Sequence, residues 1–354
     1  EIYTLSLHDA LPIWSSCGSG NFLTESYTSL RRLENETLRI IYGSDRIIGE
    51  MADPIKVSIN QFYGIEINDF ACAVAQTALW IAESQMLQET DEIVGFIIDP
   101  LPLKKYTNIK EGNALRMDWS VWEEPEDMTT VYADEVYVHQ YLPHETSSVV
   151  ASEPEVKYGT IELHSPSIHR VDKIRRTRYV EFDYIIGNPP FLGARIMSAE
   201  QKDDLVSVFG PKWKNIGNMD YVTGWYRKAS FLMQVNPKLH AALVSTNSVT
   251  QGEQVANLWK PMMEAGVNID FAWRTFIWDS EASQKAHVHC VVVGFLTCHA
   301  DGKKRIFEGD RIIEADNING YLIDGDNVFV ESRQHPICDV PEIGIGNKPI
   351  DGDD

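Results

Sequence analysis

The sequence predicts an α/β protein built on a doubly wound, mostly parallel sheet that carries an antiparallel hairpin at its edge. Three observations lead there. Strand-length apolar runs alternate with helix-length amphipathic stretches, two strands follow one another directly at the end of the pattern, and residues suited to ligand binding recur where strands end.

The elements follow in order. Phe22 to Tyr42 has helical spacing, with Leu23, Leu30, Leu33, Leu38 and Ile41 as its buried positions, and it opens directly from CGSGNF. A short strand is expected at Gln61 to Ile67. Asn68 then caps a helix from Asp69 to Leu87, whose alanines with Leu79, Trp80 and Ile81 suit close packing on a sheet. Tyr106 to Leu115 reads as a third strand. Trp119 to Tyr179 fits no periodic pattern: its start is acidic (Glu123, Glu124, Glu126, Asp127), a β-rich patch lies at Val131 to Val138, and the whole reads as an insertion. Alternation resumes with a strand at Phe182 to Ile186, helices at Ala199 to Val208 and Asp220 to Gln234, a strand at Ala241 to Ser245 and a helix at Glu253 to Ala265. Strands at Ile269 to Ile277 and Val288 to Leu296 form the hairpin. Beyond His299 the chain reads as loop-rich and is expected to enter another domain.

Composition narrows the class. At 354 residues and 44% apolar content the chain can bury one large α/β core, in one or two domains. Its five cysteines lie far apart without a CxxC pair, which indicates neither a zinc site nor a disulfide framework and fits a reducing cytoplasm. The longest apolar run, Cys290 to Leu296, falls far short of the ~20 residues that span a bilayer. The net charge of −21 speaks against a broad phosphate-binding surface. One basic stretch, His169 to Arg178, holds Arg170, Lys173, Arg175, Arg176 and Arg178, and it is read equally well as a solvated segment or a DNA-facing one. Glu1 to Ile13 reads like translated sequencing-adapter sequence and is set aside from fold reasoning, which makes the chain an expected internal fragment starting near Trp14.

The motifs sit at strand ends. CGSGNF, Cys17 to Phe22, places two glycines at a helix start, where backbone N–H groups can approach a ligand; alone it is also an ordinary tight turn. YGIEIN puts Glu66 at a strand end, where a carboxylate can accept both hydroxyls of a ribose, although a solvated acid is as common there. EGNAL follows. The most informative stretch is DYIIGNPPF, Asp183 to Phe191. The side-chain oxygen of Asn188 and the carbonyl of Pro189 can both accept hydrogen bonds from one exocyclic NH2 group, and Phe191 offers a flat face to a heterocycle, a combination suited to methylation of a base amine.

Taken together, CGSGNFLTESYTSLRRLENE, YGIEINDFACAVAQTALWIAESQM, EGNALRMDW and DYIIGNPPFLG resemble the DNA methyltransferase domain of MmeI-like restriction-modification enzymes, adenine-specific and in the γ motif order of amino-methyltransferases. The resemblance runs from about Ser16 to the chain's end. It implies a seven-stranded Rossmann-like sheet and S-adenosylmethionine as cofactor. It places Cys17, Gly18, Ser19, Gly20, Asn21 and Phe22 around the methionine part, Glu66 and Ile67 at the ribose, and Asn113 and Ala114 at the adenine edge. Asn188, Pro189, Pro190 and Phe191 become the catalytic motif, with Asn188 also bordering the cofactor. Asp220, Tyr221, Asn247 and Ser248 would line the pocket. Phe276 or Trp278 of the hairpin would approach a flipped base, although a core role is the commoner one for such residues.

The resemblance also marks departures. Relatives carry Asp-Pro-Ala before the Gly-rich loop, where Trp14, Ser15 and Ser16 stand here. The central first strand is therefore expected to be truncated and the literal chain to fold weakly. By resemblance the partners are double-stranded DNA with a flipped adenine, a target-recognition region beginning at 301–354, and an endonuclease in the full-length chain. Cytosine N4, RNA bases and protein glutamine are alternative substrates for the same motif, and a non-catalytic binding module is the alternative of another class. No metal is called for by this chemistry.

Overall fold

The computed structural model describes residues 10–42, 54–95, 108–123, 177–278, 288–298 and 302–331. The expectations for Val131 to Val138, for Arg170 to Arg176 and for the side chain of Trp278 lie outside these residues.

Apolar strands and helices assemble into one mixed sheet of nine strands. Its strands are β1 (Pro12–Trp14), β2 (Tyr63–Glu66), β3 (Ile109–Glu111), β6 (Tyr184–Gly187), β7 (His240–Thr246), β8 (Asn268–Trp278), β9 (Val288–Leu296), β10 (Lys304–Glu308) and β11 (Arg311–Ala315). They lie in the order β11-β10-β8-β9-β7-β6-β1-β2-β3. The run from β3 to β7 is parallel throughout, whereas β9 is antiparallel to both β7 and β8.

Three expectations are corrected here. The sheet has nine strands rather than seven. The first strand is present: Pro12, Ile13 and Trp14 pair with β6 on one side and β2 on the other. Ile13 and Trp14 are buried and Pro12, at the strand's first position, sacrifices no essential donor. Apolar, β-compatible residues are all that a three-residue strand requires of this place, so β2 and β6 keep a paired neighbour. Finally, the β8–β9 hairpin is not at the edge. Lys304 to Glu308 pairs parallel to β8 and turns back as β11 through Gly309, whose φ is +57°, where loops were expected.

Helices cover both faces. α1 (Asn21–Tyr42) packs against α2 (Asp69–Val94). Between them and the sheet lies a core of Trp14, Leu23, Tyr27, Phe62 and Leu79, with Trp14 stacked on Phe62 at 5.6 Å and Tyr27 edge-on to it at 5.5 Å. The apolar face of α1 is narrower than its spacing predicts: Leu23 and Leu38 are buried, while Leu33 and Ile41 are exposed. Ile81 of α2 is likewise exposed. A buried polar cluster pins the two helices, Arg31 donating to Glu34 and Thr90, and Thr90 to Asn35. α2 begins where Asn68 Oδ1 accepts from Ala71 N at 3.0 Å and ends at Gly95 in the left-handed conformation.

The other part of the sheet carries α3 (Ala199–Phe209), α4 (Thr223–Val235) and α5, which joins Gly252–Gln254 and Lys260–Glu264 through a π turn at Val255–Trp259. α4 is set into the core by Tyr226, whose ring stacks on Phe295 at 5.2 Å and whose hydroxyl shares a 2.7 Å hydrogen bond with Ser245.

Val121–Tyr179 forms a separate compact unit. Its described residues are β4 (Val121–Glu123) and β5 (Thr177–Tyr179), an antiparallel pair. Among the described residues no helix is long and apolar enough to cross a membrane.

Candidate functional site

The chain runs outward from β1 to β2 to β3, then returns to β6 on the other side of β1. Loops leaving the C-terminal ends of β1 and β6 therefore diverge, and an open α/β sheet holds its ligands at such a point. A cavity of about 400 Å³ lies there. Ser15 and Ser16 from the end of β1, Glu66 and Ile67 from β2, Gly112 to Ala114 and Arg116 after β3, and Pro190 after β6 all line it. α3 contributes Glu200, Gln201 and Asp204 and its N-cap Ser198, and Tyr221 and Trp225 complete the wall.

The Gly-rich loop is shaped by its neighbours. Gly18 and Gly20 have φ values of +55° and +88°. At Gly20 any Cβ would stand 2.9 Å from Ala75 on α2, so the loop can cross that helix only as glycine. Gly18 N donates to Glu66 Oε2 at 2.9 Å, and Asn68 N donates to Oε1 at 3.2 Å. These bonds fix the carboxylate between the loop and the start of α2. An ionised carboxylate accepts about four hydrogen bonds, so both oxygens retain capacity for hydroxyl donors.

None of Cys17 to Phe22 is among the residues that line the cavity. Cys17 is buried towards Gly64, and burial, reinforced by Glu66, pushes its thiol up to about 12, so it is neutral and no nucleophile. Ser19 and Asn21 are exposed at the start of α1, within 3.4 Å of each other, and Phe22 is largely exposed.

Asn113 is held at both ends of its amide: Leu115 N donates to Oδ1 at 2.9 Å, and Nδ2 donates to Asp204 Oδ2 at 2.8 Å. The loop is also gripped from α4, where Lys228 Nζ donates to the carbonyls of Met117 and Leu115. Burial draws the Lys228 ammonium below its ordinary range.

At the end of β6 the motif Asn188–Phe191 has Pro189 buried and Asn188 and Phe191 half-buried. The Asn188 Oδ1 atom is buried and accepts no hydrogen bond from the described residues, and of the motif only Pro190 lines the cavity. The segment that follows is tied down by Asp220 and Tyr221: Tyr221 N donates to Leu192 O at 2.9 Å, and Ala194 N donates to Asp220 Oδ1 at 3.1 Å. Ser248 Oγ donates to the other Asp220 oxygen. Thus Tyr221 lines the cavity while Asp220 and Ser248 brace the loop after β6. Phe276, half-buried on β8, does not line the cavity.

Sequence reasoning missed Arg116, Asp204 and Trp225. Trp225 Nε1 donates to Ser15 O at 3.0 Å and so ties α4 to the end of the central strand. Its position in MDYVTGWY, four residues past Tyr221, was a usable signal. Asp204, in an otherwise ordinary amphipathic helix, offered none.

The family profile described as "MmeI, DNA-methyltransferase domain" matches residues 11–308. A curated relative, "DNA methyltransferase A" of Bacillus subtilis (strain 168), is 36% identical over 339 residues, which is 95% of this chain and 32% of that protein. The solved structure of the type IIL restriction-modification enzyme MmeI in complex with DNA matches with a TM-score of 0.72 and 34% identity, over 95% of this chain and 38% of that one. This chain thus spans about a third of the length of these relatives. With its motifs in place at the ends of β1, β2, β3 and β6, and the profile running from the first strand into β10, the chain belongs to the MmeI DNA-methyltransferase domain family.

Proposed function

We propose that this site binds S-adenosylmethionine and methylates the N6 amine of adenine in DNA, as the modification part of a restriction-modification system. The observation that carries the reading is the buried, unpartnered Oδ1 of Asn188 at the end of β6. A buried acceptor left without a partner costs about 1–3 kcal/mol, which is regained when a donor arrives. An exocyclic amine is such a donor.

The cavity suits the cofactor on structural grounds. It opens at the strand ends where dinucleotide-like ligands sit, and Glu66 presents free acceptor capacity. Glu66 would accept the ribose hydroxyls and Asn113 would meet the adenine edge. Gly18, Ser19 and Gly20 would border the methionine part. When bound, the cofactor supplies an electrophilic methyl on a sulfonium.

The chain's own residues do the rest. The adenine amine is a weak nucleophile because its lone pair is delocalised into the ring. Asn188 Oδ1 and Pro189 O would accept its two hydrogens, drawing the nitrogen towards tetrahedral geometry and freeing the pair for attack. The methylated nitrogen then sheds one proton. Phe191 would stack on the flipped base, an interaction worth roughly 1–3 kcal/mol that offsets the cost of leaving the duplex. The part of 301–354 that follows the β10–β11 hairpin is proposed to lead into a target-recognition region, and an endonuclease is proposed elsewhere in the full-length protein. With a net charge of −21, most phosphate contacts would come from those regions.

Asn188→Ala in the full-length protein tests the assignment. Methyl transfer should fall by at least about a hundredfold, roughly 2.7 kcal/mol of transition-state stabilisation, while calorimetric binding of S-adenosylhomocysteine changes little. An equal loss of both contradicts the role.

A further inference from the structure

Asp204 is the buried acid of the cavity wall, 4% exposed on α3, beside the more accessible Glu66 and Glu200. Its carboxylate gathers donors from two other segments: Asn113 Nδ2 and Tyr221 OH on Oδ2, at 2.8 and 2.9 Å, and Arg116 Nε on Oδ1. Burial alone would raise its pKa, but these three donors hold it below the usual carboxylate range, so it is ionised and accepts only.

The consequence falls on Asn113. Its Nδ2 faces an obligate acceptor, Asp204, while its Oδ1 faces an obligate donor, Leu115 N. Turning the amide over would set oxygen against carboxylate and N–H against N–H. One carbonyl lone pair and the second amide hydrogen, which is shared with the Tyr221 hydroxyl, are what the amide offers a ligand, in a fixed arrangement. Such a pair matches adenine, whose exocyclic amine donates and whose ring nitrogen accepts. Hypoxanthine reverses both: its ring N–H donates and its exocyclic oxygen accepts.

We propose that Asp204 is a positioning residue that locks the Asn113 amide in the orientation selecting an adenosyl over an inosyl group. The inference rests on the cofactor reading given above, and its tests separate the two.

Binding of S-adenosylhomocysteine and S-inosylhomocysteine to the full-length protein is measured by titration calorimetry. The wild type should prefer the adenosyl ligand. Asp204→Ala should weaken that ligand by about tenfold or more and the inosyl ligand by less than about threefold, so that the preference narrows. Asp204→Asn, which keeps the shape and one acceptor oxygen, should fall between the two and serves where the alanine variant does not fold. In an Asn113→Ala background, Asp204→Ala should add nothing, because the effect passes through the missing amide. Equal weakening of both ligands, or additive losses in that cycle, would make Asp204 merely structural and overturn the proposal. A wild type that binds neither ligand removes the cofactor reading, and the proposal with it.

Discussion

At the scale of single residues, two buried polar side chains are used in opposite ways. Asp204 has every oxygen engaged, whereas Asn188 keeps one acceptor empty. A group with bonds on each of its polar atoms rigidifies what surrounds it; an unsatisfied one stores binding energy for a ligand. Gly20 shows a third use, in which the absence of a side chain is the requirement. Gly20→Ala would place a methyl 2.9 Å from Ala75 in a backbone conformation, φ +88°, that L-residues rarely adopt. Overpacking and backbone strain together predict a loss of roughly 2–4 kcal/mol in denaturant unfolding. Stability within about 0.5 kcal/mol of wild type, the range usual for innocuous surface changes, would contradict the close crossing of α1's loop with α2.

Elements differ in how much of their placement the sequence carries. α2 is legible at its start, which Asn68 marks, but not in its length, since the helix runs to Val94 rather than to the expected Leu87. Asn68→Ala removes the bond to Ala71 N and should cost about 1 kcal/mol of stability, read as a shifted denaturation midpoint; no shift would mean the cap is not formed in solution. The strands ending in Glu66 and Gly187 were also legible, since a short apolar run followed by a turn leaves few alternatives. β1 was not, because Pro12 and Ile13 belong to the adapter-like stretch and three residues carry no periodicity of their own; they gain their conformation from β2 and β6. β10 and β11 were missed although Glu-Gly-Asp-Arg between two β-prone runs is a hairpin signal. The Asp204 network was illegible for a different reason: its partners lie 17, 88 and 91 residues away, and only tertiary packing brings them to one point.

For the whole molecule, the order of strands decides where chemistry happens. Placing β6 beside β1 brings the Gly-rich loop, the acidic end of β2, the EGNAL turn and the NPPF loop to one rim of the sheet, although they are spread from Cys17 to Phe191 in sequence. The family model and the relatives account for that arrangement, while the proposal of amine methylation rests on the acceptor pair at Asn188 and Pro189, and its assignment to adenine in DNA on the resemblance carried by the motifs. The most direct measurement of that claim is methyl transfer by the full-length protein to methylation-free genomic DNA, followed by nucleoside mass analysis. The account predicts N6-methyladenine as the labelled product, absent with Asn188→Ala. Label in N4-methylcytosine, or in RNA or protein with DNA left unmarked, would contradict it.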